Sequence, residues 1–142
     1  MSRLVLDASV LVKWILQDDA GEADTPRALA LFESFREGRV SLVQPVHWLV
    51  EVSAVCVRLK PDIATQATTF LYAMEIPVRN SLDVYRHACA LAVELDHHLF
   101  DTLYHAVALN LRDTTLVTAD RRYYRKARKH GAIAQLADFP MP

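Results

Sequence analysis

The sequence predicts an α/β fold in which helices cover both faces of a central parallel sheet. Three observations carry that expectation. Short runs rich in valine and leucine alternate with helical patterns nearly throughout the chain. The breaks between them are short and marked by proline, glycine or polar capping residues. Two of the apolar runs, LVLD and LVTAD, end on an aspartate. A chain of 142 residues with no long linker and no internal repeat reads as a single domain over residues 1–142.

Residues 3–6 form a short β-branched and leucine run, the expected first strand. Asp7-Ala8-Ser9 breaks it, with Ser9 as the expected cap of a helix over 10–16 that carries Val10, Leu11, Trp14 and Ile15. Asp7 thus lies at the carboxyl end of a strand, where open α/β sheets place their ligand sites. Residues 17–24 are polar and contain Gly21, a loop. Thr25-Pro26 opens the next helix as cap and first helical residue, and Gly38 stops it. A second strand follows at 40–43. Pro45 begins a largely apolar helix over 45–59 that contains Glu51. Further helices are expected at 63–74, opened by Pro61-Asp62, and at 82–95, capped by Ser81, with a short strand at 76–78 between them. Asp96-His97-His98 is a break before a helix over 99–111, which has Asp101 in its first turn. A strand at 115–118 leads through Ala119 to Asp120 and a basic helix over 120–130 closed by Gly131, and 134–136 is the last strand.

Sixteen Lys and Arg nearly balance seventeen Asp and Glu, so the net charge of -1 points to no nucleic-acid partner by itself; local clustering must supply any such signal. Cys56 and Cys89 both fall in apolar helical patterns and read as buried free thiols, without disulfide or metal-type spacing. That usage suits a reducing, cytoplasmic setting. No basic segment followed by a long apolar run opens the sequence, so no signal peptide is expected, and no run reaches the roughly 18 apolar residues of a membrane span.

The acids carry the chemical signal. In a parallel sheet, Asp7 and Asp120 at two strand ends fall on one edge and converge. Glu51 and Asp101 add acids in apolar helical surroundings, and the WLVEVSAV segment has no cation three or four residues after Glu51. Each acid alone has an ordinary structural use: Asp7 and Asp120 as helix caps, Asp101 on a helix N-terminus. Together they cannot all stay ionised in a dry site without a cation. Oxygen-only ligation favours Mg²⁺, or Mn²⁺, which acts on water and on phosphoryl groups. Ser9 and Thr118 sit beside Asp7 and Asp120 as accessory polar groups, with capping as their ordinary use.

DAS at 7–9, Glu51 after PxxW, LFDTLYHAVAL with Asp101, and LVTAD followed by RRYYRKA together resemble the PIN-domain family, and most of all its VapC-type ribonuclease toxins. The likeness runs over nearly the whole chain. It implies a three-layer α/β/α sandwich and a metal-dependent endoribonuclease site of Asp7, Glu51, Asp101 and Asp120. Of these, Asp7, Asp101 and Asp120 are the implied holders of one or two Mg²⁺ ions, and Glu51 ligates the metal or positions the attacking water. The implied products are a 5′-phosphate and a 3′-hydroxyl. A toxin also implies a cognate antitoxin that wraps it and offers a basic side chain to the acids, and similar proteins are often homodimers.

Arg121, Arg122, Arg125 and Lys126, with Arg128 and Lys129, crowd one short stretch after Asp120. They are the candidate phosphate contacts for RNA, against the ordinary reading of a solvated charged helix. Tyr123 and Tyr124 are candidates for base stacking or for the core. Trp14, Phe32, Phe35 and Trp48 are candidates for partner docking, with core packing the preferred use. The six histidines show no zinc pattern, although His98 has a place near the acids. Two other readings stand beside the toxin. One is a stand-alone PIN nuclease in RNA processing. The other is a non-catalytic metal- or nucleic-acid-binding protein, of which a receiver-type phosphoacceptor is disfavoured by the lone Asp7 and by the absence of a lysine at the late strand end.

Overall fold

The computed structural model describes residues 2–17 and 23–142; five residues of the expected 17–24 loop, 18–22, lie outside the described residues. Among the described residues there are four strands in one parallel sheet, β1 (Ser2–Leu6), β2 (Val40–Leu42), β3 (Thr114–Thr118) and β4 (Ile133–Gln135), in the order β2-β1-β3-β4. Seven α-helices accompany it: α1 (Ala8–Ile15), α2 (Thr25–Arg36), α3 (Trp48–Leu59), α4 (Ala64–Ala73), α5 (Leu82–Leu95), α6 (Leu99–Leu109) and α7 (Arg121–Ala127). The predicted α/β class and central parallel sheet are therefore what the chain forms.

The sheet order explains where a site can form. The chain steps from β1 to β2 in one direction, and to β3 and β4 in the other. Right-handed crossovers then place helices on opposite faces and leave a crevice between the carboxyl ends of β1 and β3. Leu4, Val5 and Leu6 of β1 are all buried, as a strand covered on both faces requires. Trp14 donates its indole N–H to the Ala28 carbonyl at 2.8 Å and ties α1 to α2. Trp14 and Trp48 are core residues, while Phe32 and Phe35 pack half-buried against that core. The exposed apolar residues lie elsewhere, with Val50 and Val57 on α3 and Phe100 on α6.

Several boundaries differ from the expectation for physical reasons. Residues 76–78 make only a single bridge, Gln44 to Val78, because Pro77 has no N–H to extend a ladder. Residues 45–47 form a turn, and α3 starts at Trp48. The helix after Asp120 tightens into a 3₁₀ turn at Arg128–His130 and ends at Gly131, whose φ of 77° suits a residue without a Cβ. Asp24, with φ of 62°, precedes α2, so Thr25 is its first residue and not its cap. Ser81 caps α5 as expected, accepting from Val84 N–H. Cys56 is buried, but Cys89 is exposed, because it lies on the outer side of α5.

Candidate metal centre

Asp7 follows β1 directly. Its N–H continues the ladder to Val117 at 3.1 Å, and it then turns the chain into α1 as the helix cap. Ser9, the expected cap, is instead a donor to it: the extended backbone of Asp7 lets its carboxylate reach forward to Ser9 N–H. Oδ2 of Asp7 receives the Ser9 N–H at 3.2 Å, the Ser9 hydroxyl at 2.5 Å and the Thr118 hydroxyl at 3.3 Å. Each hydroxyl also accepts a backbone N–H at 3.0 Å, Ser9 from Ala119 at the opposite strand end and Thr118 from Asp120 just beyond its own strand. Ser9 and Thr118 thereby stitch the ends of β1 and β3 together. Gln44 supports this edge from the other side. Its fully buried amide donates to Leu6 C=O and accepts from Leu6 N–H, both at 2.8 Å, in place of the ladder that β2 no longer supplies.

Asp120 begins α7 and accepts the Tyr123 N–H at 3.0 Å, so it is a helix cap as well as a site candidate. Asp101 lies in the first turn of α6 and bonds Nε2 of His97 at 2.7 Å. Nδ1 of His97 faces Nζ of Lys126 at 3.3 Å, and that ammonium also donates to the Asp96 carbonyl at 3.0 Å. Glu51, on α3, does have a neighbour on its own helix face, but at i−4: Nε2 of His47 lies 3.2 Å from it and also meets the Phe100 carbonyl at 2.8 Å. The sequence indeed offers no cation three or four residues after Glu51; the partner stands four residues before it.

Asp7, Glu51, Asp101 and Asp120 all line one cleft of about 400 Å³, with Ser9, Lys13 and Arg58. Ligating atoms of His97, Asp101 and Asp120 lie within 4.8 Å of one another. Burial, followed by the negative charges of Asp101 and Glu51, pushes the Asp7 carboxyl up to about 6 against the lowering effect of the Ser9 hydrogen bonds. Burial also raises Asp101, opposed by its bond to His97. Burial and the same carboxylates keep the Tyr104 phenol protonated beside them. The centre thus gathers four carboxylic acids in one cleft. Carboxylate oxygens in such a place fit a hard divalent cation, and the donor set passes that test.

Lys13 and Arg58 gave no signal in the sequence, and His97 counted there only as part of a break and of a histidine set without a zinc pattern. Lys13 lies one helical turn after Ser9, and Arg58 two turns after Glu51, spacings that put each on the cleft face of its helix. His97 stands four residues before Asp101 but outside α6, so no helix period marks it. His98 does not enter the acidic cleft. It lines a neighbouring cavity of about 310 Å³ with Asp96, His97, Arg122 and Lys126. Arg121, Arg122 and Arg125 are exposed, and none has an ion-pair partner among the described residues, whereas Lys126 is partly buried by its contacts to Asp96 and His97. Tyr123 is in the core, its hydroxyl 2.9 Å from Nδ1 of His105. No helix among the described residues is long and apolar enough to cross a membrane.

Comparison with known families gives a match to the PIN domain over residues 4–129. No curated protein matches the chain. The matched span contains all four acids, both strand ends and the crevice between them. The chain belongs to the PIN-domain family, whose members are generally metal-dependent nucleases that use acidic residues to bind divalent ions.

Proposed function

We propose that this chain is a Mg²⁺- or Mn²⁺-dependent endoribonuclease and the toxin component of a type II toxin–antitoxin pair. The convergence of Asp7, Glu51, Asp101 and Asp120 in one cleft at the carboxyl ends of β1 and β3 carries the reading. Asp7, Asp101 and Asp120 hold the ion, directly or through water. When bound, the ion lowers the pKa of water and offsets charge at the reacting phosphorus. Glu51 orients the attacking water. Ser9 and Thr118 hold Asp7 by one oxygen and so fix the direction of the other. Arg121, Arg122 and Arg125, exposed on the helix that Asp120 caps, guide the phosphate backbone with Lys126, a contact independent of base identity. Hydrolysis leaves a 5′-phosphate and a 3′-hydroxyl.

The toxin assignment draws support from the family resemblance and from apolar side chains exposed beside the cleft. His47, Val50, Glu51, Ala54 and Phe100 line a hollow of about 250 Å³ there, a surface suited to an antitoxin segment. The resemblance likewise suggests a cytoplasmic homodimer.

The test is cleavage of total cellular RNA by the purified chain with Mg²⁺ or Mn²⁺, with EDTA, and beside Asp101→Asn. Discrete metal-dependent cuts that vanish in the variant are expected. Metal-independent cutting, or full activity in Asp101→Asn, overturns the site. Absence of both metal binding and cleavage favours a non-catalytic binding protein. Induced expression then separates the toxin from a stand-alone nuclease: growth arrest with the native chain, and none with the variant, is the toxin's signature.

A further inference from the structure

The geometry points to His97 as a positioning residue for Asp101, locked in one tautomer by Lys126, and not as a metal ligand. The inference rests on the metal-centre reading above. His97, Asp101 and Asp120 lie close enough to suggest a mixed histidine–carboxylate ion site. The hydrogen bonds around the ring argue otherwise. An ammonium has only protons to offer, so Nδ1 of His97, 3.3 Å from Lys126 Nζ, must be the unprotonated acceptor. A neutral ring with a bare Nδ1 carries its proton on Nε2. That nitrogen faces Oδ2 of Asp101 at 2.7 Å, and a protonated ring nitrogen donates there and has no lone pair for a metal.

The surroundings hold this arrangement. Lys126 is anchored by a second bond to the Asp96 carbonyl, at the C-terminus of α5, where Asp96 adopts φ of 48°. The His97 ring is 9% exposed and packs edge-on against Tyr123, with centroids 4.9 Å apart. Lys126 and Tyr123 both come from α7, which Asp120 caps. One short helix therefore sets the orientation of Asp101 across the cleft while Asp120 stands at its start. Held by Oδ2, Asp101 presents its remaining acceptor capacity in a fixed direction, as outer-shell partners do for metal-ligating carboxylates.

The experiment uses the full chain and Mn²⁺ alone. Calorimetry compares the native chain with His97→Ala, His97→Gln and Lys126→Met, and ¹⁵N NMR reads the imidazole tautomer without metal. Pulsed EPR on bound Mn²⁺ asks whether an imidazole nitrogen is coordinated. Expected results are roughly 10- to 100-fold weaker Mn²⁺ binding in His97→Ala, partial recovery in His97→Gln, whose amide still donates, an Nε2–H tautomer in the native chain, and loss of that bias in Lys126→Met. Unchanged affinity in His97→Ala, an Nδ1–H tautomer, or a directly coordinated imidazole overturns the inference. If His97→Ala fails to fold, His97→Gln and the native NMR and EPR spectra still decide. A native chain that binds no Mn²⁺ overturns the metal-nuclease reading itself, while the tautomer still reports on the Lys126–His97–Asp101 arrangement.

Discussion

Replacing Asp7 with Asn separates the cost of the acidic centre from its use. In the metal-free chain, burial and the charges of Asp101 and Glu51 push the Asp7 carboxyl up to about 6, from an ordinary 3.8. Between these values the folded chain holds the proton more tightly than the unfolded chain. Stability therefore falls as pH rises through that window, and the penalty is complete above it. Two pKa units at about 1.36 kcal/mol each give roughly 3 kcal/mol. Asp7→Asn keeps an oxygen acceptor for Ser9 but weakens charge-assisted bonds, so the net gain at pH 7.5 in EDTA should be about 1–3 kcal/mol. Below about pH 4 the gain should vanish, because the native carboxyl is then protonated in both states. Urea denaturation followed by the fluorescence of the buried Trp14 and Trp48 reads this directly. Adding Mg²⁺ should then stabilise the native chain by mass action and leave Asp7→Asn nearly unmoved. A variant less stable than the native chain at pH 7.5 in EDTA would refute the electrostatic account. A variant that still gains stability from Mg²⁺ would remove Asp7 from the metal.

Other parts of the structure give further expectations. Burial holds His105 down to about 4, and its Nε2 meets the Gly131 carbonyl at 2.7 Å. The folded chain then binds fewer protons than the unfolded chain between about 4 and the ordinary 6.5, so stability from this residue is full above 6.5 and lost as pH falls through the window. This slope opposes that of Asp7, so in EDTA the Asp7→Asn profile should rise more steeply with pH than the native one, and His105→Phe should abolish the rise. Gln44→Ala strands both polar groups of Leu6 in the core and should cost about 2–4 kcal/mol in urea denaturation; a loss below about 1 kcal/mol would deny the bridge its role. Arg122→Ala, made in an Asp101→Asn background, should leave the unfolding midpoint unchanged and weaken single-stranded RNA binding across sequences. Its salt slope should be shallower by about one unit in fluorescence anisotropy, and an unaltered slope would take Arg122 out of the phosphate path.

Much of this arrangement was readable from local patterns. The switch from strand to helix at Asp7 and at Asp120 is a change of hydrophobic period, which depends only on neighbours in the chain. Parallel pairing then brings both strand ends to one edge, so their convergence followed from the fold class. Glu51 and Asp101 stood out as charges within apolar helices. The strand expected at 76–78 failed where a single proline withholds a backbone donor. Gln44 gave no signal at all, because a buried amide that mends a sheet edge looks like any polar residue between a strand and a helix.

The sequence by itself determined the alternation of strands and helices, the parallel sheet and the four acids, because each follows from periodicity and from the rarity of uncompensated charge in apolar surroundings. Only the tertiary structure decided which partners those acids take. Ser9 and Thr118 share one oxygen of Asp7, His47 reaches back to Glu51, and Lys126 and His97 bear on Asp101 from α7 and from the break before α6. Except for the Ser9, His47 and His97–Asp101 contacts, which are local, these pairings cross between elements. Their distances are set by how helices pack on the sheet, information that no local period contains.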